Sequence, residues 1–205
     1  MTIVYRNVQG TPLTYDQVDG NFADLAERTN LGWRDNIVEM TVDSSQPNAP
    51  TLNPFIGGTK AWTFGPGEMT EAHSAWHIDH DYAMGTSLYF HVHWATASTD
   101  IGTVRWGFEY TIAQGHQQQA FPATSTVYAE QATTGVAYMH MIAELSDANA
   151  ISGAGIQPDT VIKVRVFRDG GHVNDTLNAP VFGLFLDMHY QADRATTPYK
   201  IPPFV

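Results

Sequence analysis

Two stretches of this chain concentrate side chains able to bind a cation: SLYFHVHWAT at 87–96 and LFLDMHYQAD at 184–193. Read as strands, each sends alternate residues to one face, so His91 and His93 share a face, as do Asp187 and His189. Neighbours i and i+2 on a strand stand about 6.5–7 Å apart, so two imidazoles can reach one cation lodged between strands. If the two strands lie beside each other, four nitrogen and oxygen donors converge. Neutral imidazole with carboxylate suits Zn, Ni, Fe or Mn. The competing reading is that these faces are polar because they meet water or another subunit. Nine histidines is a high number for 205 residues, and HSAWHIDHDY adds His73, His77 and His80 beside Asp79 and Asp81.

Other chemistry finds less support. The spacing of Gly85, His91 and His93 resembles the opening of the cupin metal motif, which implies a metal-dependent enzyme. Ala97 and Ser98 stand where that motif places its glutamate, and GGHVNDTLNAP does not supply the second half. There is no GxSxG, no HExxH and no phosphate-binding glycine loop before a helix. Glu109, Glu130 and Glu144 fall in separate expected strands, and nothing in the sequence selects them as a catalytic pair. No enzyme is therefore the main expectation, with a cupin-like metal-dependent enzyme as the alternative. No cofactor is expected beyond Zn, Ni or Fe at the histidines. Trp33, Trp62 and Trp76 lie outside the strongest strand patterns and are the candidates for stacking on sugars.

The elements that must position these residues read mainly as β. Val104, Trp106, Phe108, Tyr110 and Ile112 alternate with Arg105, Gly107, Glu109 and Thr111, the pattern of a half-buried strand. Leu88, Phe90, Val92 and Trp94 form the apolar side of the histidine strand. Further strands are expected at STVYAEQ, VAYMHMIAEL, DTVIKVRVFRD and VFGLFLDMHY, separated by turns rich in Gly, Asp, Asn and Pro. Six to eight such strands without helical pattern between them indicate an antiparallel, jelly-roll-like β-sandwich over 73–205. Residues 35–72, rich in Pro, Gly, Ser and Asn, read as a linker with short strands near NIVEMTV and AWTF. Residues 1–34 carry a short N-terminal helix. Thr14 and Gln17 have capping-box spacing, and Tyr15, Val18, Phe22 and Leu25 form a narrow apolar stripe suited to packing on copies of itself or on another helix, with docking on its own domain as the alternative. Gly20 costs that helix about 1 kcal/mol relative to alanine.

Composition narrows the partners. A net charge of −11 without a basic run disfavours nucleic acid and anionic membrane. Without cysteine, neither a disulfide framework nor a thiolate zinc site can form. The N-terminus lacks a signal-peptide layout and no apolar run approaches the ~20 residues of a membrane span, so synthesis in the cytoplasm without membrane insertion is expected.

Two segments together suggest a family. VYRNVQGTPLTYDQVDGNFADLAER resembles the N-terminal segment of bacteriophage tail-fibre and other virion appendage proteins, through Gly10, Pro12, Leu13, Thr14, Gln17, Asp19, Asn21 and Phe22. LYFHVHWA followed by GTVRWGFEYTIAQG resembles a domain of phage structural proteins, through His91, His93, Trp94, Trp106, Glu109 and Tyr110. The resemblance implies a virion structural protein, a short homotrimeric tail fibre, head fibre or capsid decoration protein. Its N-terminus would attach to other phage tail or head proteins, and its β-domain would face outward, where host surface polysaccharide is a partner. The chain lacks the long repetitive shaft of many fibres. A three-fold axis would bring six imidazoles together from three copies of the H-x-H pair.

Overall fold

The computed structural model describes residues 10–28 and 31–193; the remainder of the expected N-terminal segment and the end of 73–205 lie outside them. Among the described residues one α-helix, α1 (Tyr15–Arg28), precedes ten strands. These are β1 (Gly32–Asp35), β2 (Thr51–Pro54), β3 (Lys60–Phe64), β4 (Met69–His77), β5 (Tyr89–Ala95), β6 (Thr103–Gln114), β7 (Ser125–Ala132), β8 (Met141–Glu144), β9 (Thr160–Asp169) and β10 (Val181–Ala192). A six-stranded sheet runs β2-β3-β10-β5-β8, with β1 also paired to β10, and a four-stranded sheet runs β4-β9-β6-β7. Counted from β3, the first, eighth, third and sixth strands share one sheet, and the second, seventh, fourth and fifth share the other. That is the strand order of a jelly roll. The expected mainly β, antiparallel sandwich is the fold of the protein.

Alternation along the strands decides which side chains meet between the sheets. In β6, Val104, Trp106 and Phe108 are fully buried, while Arg105 and Glu109 remain partly exposed on the other side. Trp76 stacks on Phe90 with ring centroids 4.6 Å apart, and Phe64 meets Trp106 edge-on at 5.0 Å. Fully burying one such phenylalanine contributes about 1.5–3 kcal/mol. On the outer side of β6, Gly107 pairs with Phe167 of β9, and a Cβ there would fall 2.2 Å from the Phe167 ring. The glycine is what lets that ring lie flat on the sheet.

The stretch 35–72 departs from the expected linker. β2 and β3 extend the six-stranded sheet, Val181 of β10 pairs with Phe64, and Met40, Ala61 and Phe64 are buried. NIVEMTV does not make a strand of its own because it steps between sheets: Val38 bridges Leu186 in one, and Thr41 bridges His73 in the other. Its Pro, Gly and Asn neighbours shorten the strands without preventing their pairing. The sandwich therefore begins at β1 and not at residue 73.

Helix α1 starts as its sequence predicts. The Gln17 amide donates to Thr14 Oγ1 at 3.2 Å, and the Thr14 amide donates to Gln17 Oε1 at 3.0 Å, which satisfies two of the orphan donors of the first turn. Its apolar stripe is not covered by the described residues: Tyr15 is 91%, Phe22 67% and Leu25 51% exposed, and Val18 is half-buried.

One ionic contact lies inside the sandwich. Arg168 of β9 is fully buried and makes a two-pronged pair with Asp175, Nε to Oδ2 at 3.0 Å and Nη2 to Oδ1 at 2.7 Å. Its remaining donors reach the carbonyl oxygens of Phe64, Leu177 and Ala179, so the guanidinium fastens the loop before β10 to the end of β3. Removing one partner of such a pair leaves a buried charge, at a cost of about 3–5 kcal/mol. Arg168→Ala is expected to lower the unfolding free energy by that amount, whereas Arg165→Ala, on the solvated face of the same strand, is expected to cost about 1 kcal/mol or less. Equal losses in equilibrium unfolding would refute this assignment.

Candidate metal centre

Strands β5 and β10 run antiparallel at the middle of the six-stranded sheet, with Asp187 opposite His91 and Phe185 opposite His93. The register is fixed from the other side, where Phe90, Val92, Leu186 and Met188 belong to the inter-sheet core. Because side chains alternate, His91, His93, Asp187 and His189 must then all stand on the outer face. They do not stand in open water. His91, His93 and Asp187 are 0%, 9% and 3% exposed.

The cluster is close-set. Asp187 Oδ2 lies 3.4 Å from His91 Nε2 and 3.8 Å from His93 Nε2, and one donor atom from each of the three lies within 4.8 Å of the others. Neither approach has hydrogen-bond alignment: both ring nitrogens of His91 and Nε2 of His93 lack a hydrogen-bond partner among the described residues. His93 Nδ1 meets Nε2 of the exposed His140 at 2.7 Å. Asp187 Oδ1 accepts the Met188 amide at 2.7 Å. His189 is set apart: its Nδ1 pairs with Glu144 and its Nε2 lies 2.7 Å from Asp35 Oδ1. Glu144 also stands 3.8 Å from His91 Nδ1, which makes His91, Glu144 and His189 a second set of three. The four residues expected from sequence are thus brought together, three in one set and His189 in its neighbour.

Burial sets the ionisation of the inner residues. It lowers His91 to about 4, helped by the positive charge of His189, and lowers His93 to about 4, helped by His91 and His140. It raises Asp187. At neutral pH both rings are uncharged and keep a lone pair for an electrophile.

The other candidates separate. Trp76 is not available for stacking on sugars: it is buried against Phe90, and its indole N–H donates to the Asn36 carbonyl at 2.8 Å. Its place in β4, unrecognised in the sequence pattern, explains the difference. Trp62 is half-buried against the core. Trp33 is 60% exposed, packs edge-on against Tyr89 at 5.6 Å, and lines a cleft of about 300 Å³ with Tyr89, Glu144, Asp147 and His189. Of the histidines in HSAWHIDHDY, His77 and His80 gather round Asp159 with His116, at 2.9, 3.5 and 2.7 Å. Glu109 and Glu130 are held in ion pairs by Arg165 and Arg105 on the outer face of the four-stranded sheet. His140, Asp35 and Asp159 escaped sequence reasoning because loops and β1 deliver them, and no periodicity links them to their partners.

Two expected arrangements of the H-x-H pair do not match this geometry. A cupin-like metal would sit inside the barrel, but here the two rings face away from the inter-sheet core. A shared three-fold axis would need both rings to project from the protomer, but His91 is enclosed by its own chain.

No family model and no curated protein matches the chain. Among solved structures, that of infectious bursal disease virus, Gx strain, is 14% identical over 78% of this chain, with a TM-score of 0.38. The matched region spans only 32% of that viral chain. A family 16 carbohydrate-binding module is 12% identical, covering 64% of this chain and 78% of its own, with a TM-score of 0.33. A family 11 carbohydrate-binding module from Clostridium thermocellum is 8% identical, covering 76% and 87%, with a TM-score of 0.34. These similarities to viral and carbohydrate-binding proteins are weak and carry no functional argument. The fold rests on the strand order itself.

The buried rings give a pH signature. Their pKa near 4 in the fold lies below the ordinary 6.5, so the unfolded chain binds more protons as pH falls from 6.5 towards 4, and stability is lost across that window. Each ring costs about 1.4 kcal/mol per pH unit once the unfolded form is protonated. Asp187, shifted upward, acts in the opposite direction and blunts the loss at the acid end; His189, Glu144, Asp35 and His140 are the other titratable groups that face the pair. In chelator, the wild-type denaturant midpoint is expected to drop more between pH 7 and pH 5 than that of His91→Phe. Equal drops would contradict the assignment.

Proposed function

We propose that this chain is a structural component of a bacteriophage particle, a short appendage with an attaching N-terminal helix and an outward-facing sandwich. The observation that carries the reading is the division of apolar surface between the two parts. The sandwich closes its own core, whereas α1 leaves Tyr15, Phe22 and Leu25 exposed. A 14-residue helix with a glycine inside it is marginal by itself. Partners that cover the stripe would supply what the protomer lacks.

The segment similar to virion appendage proteins coincides with this helix. Thr14 and Gln17 of that segment form the cap, and Phe22 forms part of the stripe. Self-association through α1 as a homotrimer gives a short, stubby object anchored to other tail or head proteins. A tail fibre is the preferred form, with a head fibre or capsid decoration protein as the alternative. Contact with host surface polysaccharide is favoured by one feature, the Trp33 and Tyr89 cleft, whose aromatic faces and neighbouring carboxylates suit a sugar.

Sedimentation equilibrium tests the assembly step. The full chain is expected to be a trimer, and Phe22→Asp with Leu25→Asp is expected to yield monomers whose sandwich unfolds at the same temperature. A wild-type monomer would remove the oligomeric part of the reading. Mass spectrometry of gradient-purified phage particles tests the rest: the chain should be present as a stoichiometric component, and its absence there would contradict the proposal.

A further inference from the structure

We propose that His91 Nε2, His93 Nε2 and Asp187 Oδ2 hold one zinc ion on the outer face of the six-stranded sheet, pinning β5 to β10. The inference is independent of the virion reading.

Three observations carry it. The first is spacing. Donors bound at 2.0–2.1 Å in a tetrahedron stand about 3.4 Å apart, and in an octahedron adjacent donors stand about 2.9 Å apart. The carboxylate oxygen lies 3.4 and 3.8 Å from the two imidazole nitrogens, so small side-chain movements bring all three onto one four-coordinate ion. The second is the state of the nitrogens. A buried ring nitrogen without a partner costs about 1–3 kcal/mol, and this cluster contains three such atoms. An ion placed between the donors would satisfy two of them at once.

The third is the arrangement behind the donors. A metal-bound imidazole characteristically donates its other N–H to a carboxylate or another acceptor. His93 Nδ1 meets His140 Nε2 at 2.7 Å, and His91 Nδ1 faces Glu144 Oε1 at 3.8 Å. The His140 contact occupies Nδ1 of His93 and leaves its Nε2 towards Asp187, while Glu144 stands beyond hydrogen-bond distance of His91 Nδ1 but within reach once the ring shifts onto an ion. Asp187 Oδ1 is held by the Met188 amide, leaving Oδ2 as the donor.

The neighbouring set of His91, Glu144 and His189 is the weaker candidate because its members already satisfy one another. His189 is paired at both nitrogens, with Glu144 and with Asp35. Nitrogen and oxygen donors without thiolate, at tetrahedral spacing, fit zinc better than magnesium or calcium, which require more oxygen. Three protein donors leave one position for water or for a donor atom of a surface ligand.

The test uses tag-free, full-length protein stripped with chelator and titrated with zinc against a chromophoric competitor. One ion per chain is expected, with a rise in thermal midpoint. Asp187→Asn and His91→Phe are expected to weaken uptake at least about 100-fold, beyond what loss of a supporting contact does. His189→Phe is expected to keep the one-to-one stoichiometry. In chelator, His91→Phe should melt no lower than wild type, because an apolar ring replaces one with two unpartnered nitrogens. Cobalt(II) should give the strong visible absorption of a four-coordinate ion. Failure of the folded wild type to take up zinc would overturn the proposal, even if both variants misfold. So would uptake that survives Asp187→Asn but is lost in His189→Phe.

Discussion

The antiparallel pairing of β5 with β10 is the constraint on which the rest of the molecule depends. Phe90, Val92 and Trp94 on one strand, with Leu186 and Met188 on the other, face the second sheet and cannot be exposed without losing the core. A slip of one residue would turn every one of them outward and every histidine inward. The core thus selects a single register, and that register places Asp187 opposite His91. The polar cluster is placed on the outer face by hydrophobic packing on the reverse of the same two strands.

The two outer faces of the sandwich solve the problem of polar residues differently. On the four-stranded sheet, Arg165 is shared between Glu71 and Glu109, and Arg105 joins Glu130 and Asp169. Those charges are mutually paired and partly solvated. On the six-stranded sheet, His93 lies against Phe185, with ring centroids 4.1 Å apart, and the histidine cluster is largely sealed from water. A sealed cluster with unpartnered nitrogens is under a different electrostatic demand from a solvated one, and burial answers it by keeping the imidazoles neutral.

Much of this was legible in the sequence because strand alternation is a local signal. The period-two pattern of TVRWGFEYTI located β6 and its buried face, and Thr14 with Gln17 located the start of α1. The pairing of the histidine strand with the Asp187 strand was conditional in the sequence and is met in the fold. What was hidden depends on distant segments. Trp76 sits between Thr70 and His77 on a strand whose polar residues obscured its burial, so it read as exposed. β2 and β3 lay within a Pro- and Gly-rich stretch whose composition signals turns but does not report that β10 is near enough to pair. Nothing in DTVIKVRVFRD singles out Arg168, because Asp175 and the three carbonyls that surround it come from loops and from β3.

X-ray absorption at the zinc edge of the loaded, tag-free protein addresses the central claim most directly, because it reports the donors themselves. Two imidazole nitrogens and one carboxylate oxygen are expected among four donors at about 2.0–2.1 Å, with the imidazole signature reduced by half in zinc-saturated His91→Phe. A spectrum showing six water-like oxygens, or one unchanged by that substitution, would rule out zinc at His91, His93 and Asp187.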